Sequence, residues 1–113
     1  MSLDVYLDTK KCECCGRFDR LFGSNITHNL GIMAKEAGIY DIVWRPDENN
    51  ITQAKQLIGA LKNAIKSMED DPERYKKYNP ENGWGSYDGF LKWLKEYLMA
   101  CEENPEAEVS VWR

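Results

Sequence analysis

A small α+β domain is the fold class this sequence predicts, and three observations predict it. Short stretches near both ends alternate apolar and polar residues. Longer stretches between them repeat apolar residues at helical spacing. The whole is 113 residues, the size of one domain and enough to bury a core without staples. The expected architecture is about three main helices packed on a small sheet that includes the N- and C-terminal strands, with residues 1–113 as a single domain.

The first strand is "LDVYL", residues 3–7, with Leu3, Val5 and Leu7 on one face and Asp4 and Tyr6 on the other. "EVSVW" near the end sets Val109 and Val111 against Glu108, Ser110 and Trp112, after a turn through Pro105. Neither strand is stable alone, so the simplest account pairs the two. Residues 10–23 have room for a hairpin arm around "RFDRLFG".

A first helix is expected over 24–38, with Ser24 or Asn25 as N-cap and Gly38 just past its end. Ile26, Leu30, Met33, Ala34 and Ala37 would form its apolar stripe. His28, Ile32 and Lys35 fall on the opposite side. The apolar segment 39–46 closes at Arg45-Pro46, and the proline pushes Arg45 towards an extended backbone. A second helix is expected over 52–69, with Ala54, Leu57, Ile58, Leu61, Ile65 and Met68 inward. Lys55, Lys62 and Lys66 line its other face, the usual solvated side of a surface helix. A long polar connection follows, in which Pro72 opens a single helical turn through Tyr75. The last helix, 86–103, presents Tyr87, Phe90, Leu91, Leu94, Leu98 and Cys101, widened by Trp93 and Tyr97. No internal repeat or low-complexity tract interrupts this order.

Fifteen Lys and Arg face nineteen Asp and Glu, a formal net charge of −4. That balance argues against general nucleic-acid binding, which needs a basic surface, but not against a local basic pocket. No stretch approaches the roughly 18 apolar residues of a membrane span. The opening residues lack the apolar core of a signal peptide, so a cytoplasmic setting with reduced thiols is the expectation. In that setting the glycosylation-type triplets at Asn25 and Asn50 carry no meaning.

"KCECCGR" holds Cys12, Cys14 and Cys15, and within it one C-x-x-C-G. This is half of a zinc knuckle, but tetrahedral zinc needs four ligands and the second pair is missing. Cys101 reads as a small buried hydrophobe on a helix core face. Zinc as cofactor is therefore the weaker expectation. A plain loop with exposed thiols is the stronger, and a redox role is the third.

"NITHN" supplies Asn25, Thr27, His28 and Asn29 at the expected start of the first helix. Free backbone N–H groups there attract anions, although Asn and Thr are also ordinary capping residues. Trp44 beside Arg45 offers a stacking ring and a guanidinium, against the commoner pairing of a core Trp with a surface Arg. Trp84, between Gly83 and Gly85, either caps a pocket or plugs the core. Tyr87, three residues on, joins the candidate ligand residues.

For catalysis the inventory is thin. There is one histidine, and no G-x-S-x-G, H-E-x-x-H or phosphate-binding loop. Asp70-Asp71 and Glu102-Glu103 sit where helices end and read as solvated. A dyad of Cys with His28 lacks the signatures of cysteine enzymes. The balance favours a non-enzyme with no catalytic residues.

"SNITHNLGIMAKEAGIYDIVWRP" and "NPENGWGSYDGFLKWLKEYLMACEENPEAEVSV" resemble a group of small, phage-encoded proteins. The likeness covers nearly the whole chain and rests on the "NITHNL", "AGIY", "WRP" and "NGWG-Y" segments; the cysteine loop lies outside it. The resemblance transfers no catalytic role. It implies a phage accessory protein in the host cytoplasm, with action against host defence as its context. The leading expectation is a non-enzymatic binder of a small anionic, nucleotide-type ligand held by Asn25, Thr27, His28, Asn29, Trp44, Arg45, Trp84 and Tyr87. The alternatives are a protein-binding inhibitor of a host factor and a zinc-stabilised interaction module. Homo-oligomerisation stays open.

Overall fold

The computed structural model describes residues 2–81, 83 and 85–113. The fold is α+β, and both terminal strands lie in one antiparallel sheet of order β2-β1-β3. The strands are β1 (Ser2–Asp8), β2 (Arg20–Thr27) and β3 (Glu108–Trp112). Between β2 and β3 come α1 (Gly31–Glu36), α2 (Tyr40–Trp44), α3 (Lys55–Asp70), α4 (Pro72–Lys76) and α5 (Tyr87–Glu103). No helix among the described residues is long and apolar enough to cross a membrane.

The alternation in β1 sets the layers. Leu3, Val5 and Leu7 are fully buried. Ile26, Ser24 and Phe22 of β2 stand opposite them on one side, and Val111 and Val109 of β3 stand opposite Val5 and Leu7 on the other. This face takes the helices: Phe22 stacks on Tyr97, and Trp93 of α5 donates its indole N–H to Ser24 Oγ at 3.0 Å. On the reverse face Tyr6 lies across from Gly23, and the Arg20 guanidinium sits 3.8 Å above the Tyr6 ring. A bulge at Leu7/Asp8 re-aims the strand end, where Asp8 accepts from Arg20 Nε at 2.9 Å.

The two long helices follow their apolar spacing. Leu57, Leu61, Ile65 and Met68 of α3 are buried, while Lys62 and Lys66 face solvent. In α5, Ser86 caps the N-terminus by accepting from Gly89 N–H at 3.1 Å, and Phe90, Leu94 and Cys101 are fully buried. Burial pushes the Cys101 thiol up to about 12, consistent with a packing role.

The expected first helix over 24–38 is corrected. Residues 24–27 complete β2, His28–Leu30 form a 3-10 turn, and only Gly31–Glu36 is α-helical. Ile26 and Leu30 fit a helical stripe, but Phe22, Ser24 and Ile26 also fit a strand, and the ladder to β1 satisfies that backbone. Within the segment 39–46, Tyr40–Trp44 is helical as α2, and Arg45 leaves it at φ −132°, ψ 50°, out of the helical region but short of the extended backbone expected before proline.

Among the described residues, one buried side-chain polar atom has no hydrogen-bond partner: the Tyr97 hydroxyl. Its enclosure raises the phenol pKa, because burial penalises the charged form. Removing an unsatisfied buried hydroxyl without changing the ring removes a desolvation cost of about 1–3 kcal/mol. Tyr97→Phe should therefore leave stability unchanged or raise it in urea unfolding; a clear loss would show that the hydroxyl has a partner.

Candidate functional site

Most of the candidate ligand residues do not converge. Asn25 pairs with Asp4 in the ladder and is exposed. Thr27 ends β2, and its Oγ1 accepts from Asn29 N–H at 3.2 Å, capping the 3-10 turn. These residues are not the first turn of a helix, so the expected anion site at that helix start is withdrawn: strand pairing has taken the backbone. Tyr87 is inside the core, where its hydroxyl donates to Met68 O at 2.7 Å, and offers nothing to a ligand. Trp84 lies outside the described residues. Its neighbours Gly83 and Gly85 have φ of +76° and +102°, and a Cβ on Gly85 would come within 2.9 Å of Thr27. Both the backbone conformation and the close approach there require glycine.

Trp44 is corrected in part. It is 1% exposed, stacked on Tyr40 at 5.4 Å and edge-on to Phe90 at 6.2 Å, so no ring face is open for a base. Its N–H edge is what reaches outward. The indole Nε1–H donates to His28 Nδ1 at 3.0 Å. With Nδ1 as acceptor, the neutral imidazole carries its proton on Nε2.

His28, Trp44 and Arg45 do come together. They line a concavity of about 360 Å3 with Lys35, Tyr40 and Arg113. Gly31 and Ile32 form the rest of the wall. Arg113 reaches in from the end of β3 and donates to Trp44 O at 3.0 Å. It also grips Asp47 with two nitrogens, at 2.7 and 3.2 Å. Arg45 bonds Glu48 at 2.6 Å. Asp47 and Glu48 are not part of the wall. Lys35 sits over the Tyr40 ring at 4.7 Å. A larger hollow, about 570 Å3, is lined by Lys10, Glu106 and Glu108 and holds none of the candidate ligand residues.

Lys35, Tyr40 and Arg113 were missed as site residues. Lys35 had a signal, since spacing placed it with His28 and Ile32 on one side. Arg113 had none, because it is brought to Trp44 across 69 positions by the β1–β3 pairing.

Cys12, Cys14 and Cys15 are exposed, and Cys101 is buried. Among the described residues no group of three or more His, Cys, Asp or Glu is arranged to hold a metal ion. His28, bonded to Trp44, is committed elsewhere. Comparison with protein-family models, with curated proteins and with solved structures finds no match to this chain.

Two carboxylates fix the expected acid response. The hydrogen bond from Arg113 holds Asp47 below its ordinary range, and that from Arg74, at 2.8 Å, does the same for Glu36. A carboxylate whose folded pKa is depressed contributes stability above its unfolded value, about 4, and loses it as pH falls through the folded value. Stability from these pairs should be constant from pH 7 to 5 and fall below about pH 4. Both pairs are largely exposed, so the effect is small. Urea unfolding across this range should show a shallower acid limb for Asp47→Asn than for wild type; an identical limb would contradict the Arg113–Asp47 contribution.

Proposed function

We propose that this protein is a non-enzymatic binding protein whose concavity at His28, Lys35, Arg45 and Arg113 takes a small anionic ligand of nucleotide type. One observation carries the reading. On a chain of net charge −4, three cationic side chains and the imidazole meet around a single hollow with no acid in its wall. Each cation keeps donors to spare. A guanidinium has five N–H groups, and the carboxylate contacts of Arg45 and Arg113 use only part of them. Forked donors of this kind suit phosphate oxygens, and Lys35 adds a mobile point charge. The His28 Nε2–H is a neutral donor of fixed orientation, suited to a carbonyl or ring nitrogen. The hollow lies at the low end of the usual range for small-molecule sites, about 300–1,000 Å3. The phage setting and action against host defence rest on the sequence resemblance, and a ligand of this class fits a protein that sequesters a nucleotide signal.

A second reading, a protein-binding inhibitor of a host factor, is favoured by a different observation. Ile32, on the rim of the same hollow, is 64% exposed, and Trp112, next to Arg113, is 70% exposed. Exposed large apolar side chains beside arginine are the usual anchors of protein interfaces.

Calorimetry with cyclic and linear nucleotides separates the two. A hydrogen bond to a charged group is worth roughly 1.5–3 kcal/mol, so Arg45→Ala should weaken nucleotide binding about tenfold to a hundredfold. Arg45 is partly exposed and the fold should persist. Lys62→Ala, on α3, should bind as wild type. If no nucleotide binds below about millimolar, or if Arg45→Ala and Lys62→Ala behave alike, the anion reading fails and the protein-binding reading replaces it.

A further inference from the structure

The loop joining β1 to β2 has a defined shape that the concavity does not use. The hairpin ladder continues past the strand ends: Thr9 N–H donates to Asp19 O at 2.8 Å, and Cys12 N–H donates to Arg17 O at 2.8 Å. Asp19 N–H also donates to Thr9 Oγ1 at 2.7 Å. Inside the last rung, Gly16 N–H donates to Cys12 O at 2.7 Å, and Gly16 exits at φ +70°. A bond from residue 16 to residue 12 winds the intervening chain into one helical turn. In such a turn Cys12 and Cys15 share a face, with Cα atoms about 5 Å apart by helix geometry. That lies within the roughly 4.4–6.8 Å that a disulfide spans. The Cys14 thiol also reaches Cys12, but more weakly than the Cys15 thiol does, and a bridge between the adjacent Cys14 and Cys15 would strain the peptide between them.

The two thiols on the shared face are not equivalent. The backbone N–H groups of Cys14 and Cys15 point at the Cys12 sulfur and lower its pKa. Lys10, Lys11 and Arg17 flank it, with Glu13 and Asp19 as the nearby acids. All three loop thiols are exposed, whereas Cys101 is enclosed in α5. An accessible thiol of lowered pKa with a second thiol one turn away is the arrangement that thiol–disulfide exchange requires.

We propose that Cys12 and Cys15 form a thiol–disulfide exchange pair that acts on low-molecular-weight disulfides. The Cys12 thiolate attacks one sulfur of R–S–S–R, and the S–S bond breaks. One RS⁻ leaves and is protonated by solvent, and R–S remains on Cys12 as a mixed disulfide. Cys15 loses its proton to solvent and attacks the Cys12 sulfur, expelling the second RS⁻. The two protein thiols give up two electrons and two protons, and the small disulfide becomes two RSH.

Intact-mass measurement with oxidised glutathione as the probe tests this. Wild type should lose the mass of two hydrogens, with the new bond mapped by peptide digestion to Cys12 and Cys15. Cys15→Ser should trap one glutathione on Cys12. Cys12→Ser should react on the order of tenfold more slowly, because it removes the thiol that the N–H groups of the turn activate. Cys14→Ser should behave as wild type. The exposed loop makes these substitutions compatible with folding, which circular dichroism checks. A stable adduct on wild type, a bond through Cys14, disulfide-linked dimers, or equal rates for Cys12→Ser and wild type would each overturn the proposal.

Discussion

The indole of Trp44 must be both buried and hydrogen-bonded, and much of the molecule is arranged around that requirement. Its ring is enclosed between Tyr40 and Phe90, and its N–H is met by His28 Nδ1. A buried N–H left unpaired costs about 1–3 kcal/mol, so the bond does more than decorate the core. It holds the turn after β2 against α2. It also selects which imidazole nitrogen is left to face the concavity. The candidate site thus begins inside the core, and its imidazole donor is positioned by a packing residue.

The same rule repeats along an aromatic series. Trp44 meets Phe90, Phe90 meets Trp93, Trp93 meets Tyr97, and Tyr97 meets Phe22 on the sheet. Trp93, like Trp44, has its N–H satisfied by the segment that carries β2, through Ser24. Rings supply the buried area of this small core, and single polar atoms fix the register of what they pack against. Tyr97 is the exception, with a buried hydroxyl that has no partner among the described residues. Outside this core the charges act differently. Arg45, Asp47, Glu48 and Arg113 form a surface group of partly exposed ion pairs, each worth little to stability.

The fold class was legible because the terminal strands and the two long helices each carry an unambiguous period. Leu3, Val5 and Leu7 alternate with polar neighbours, and Leu57, Leu61, Ile65 and Met68 repeat at helical spacing. The region 24–38 was not, because its first residues satisfy both periods. Pairing with β1, a contact distant in sequence, decided between them. The site was legible only in fragments for the same reason. His28 and Lys35 could be placed together by local spacing, and Arg45 by standing beside Trp44. That Trp44 turns its N–H and not its ring face outward depends on Tyr40 and Phe90, and that Arg113 completes the wall depends on β3. Neither is written in any local pattern.

The account stands on the bond between Trp44 and His28, and long-range nitrogen–proton correlation of the imidazole measures it directly. Recorded on the neutral ring, it should show Nδ1 unprotonated and Nε2 carrying the proton, with the Trp44 indole N–H protected from solvent exchange. A proton on Nδ1, together with a freely exchanging Trp44 N–H, would mean that the bond is absent and that the concavity is not built as described.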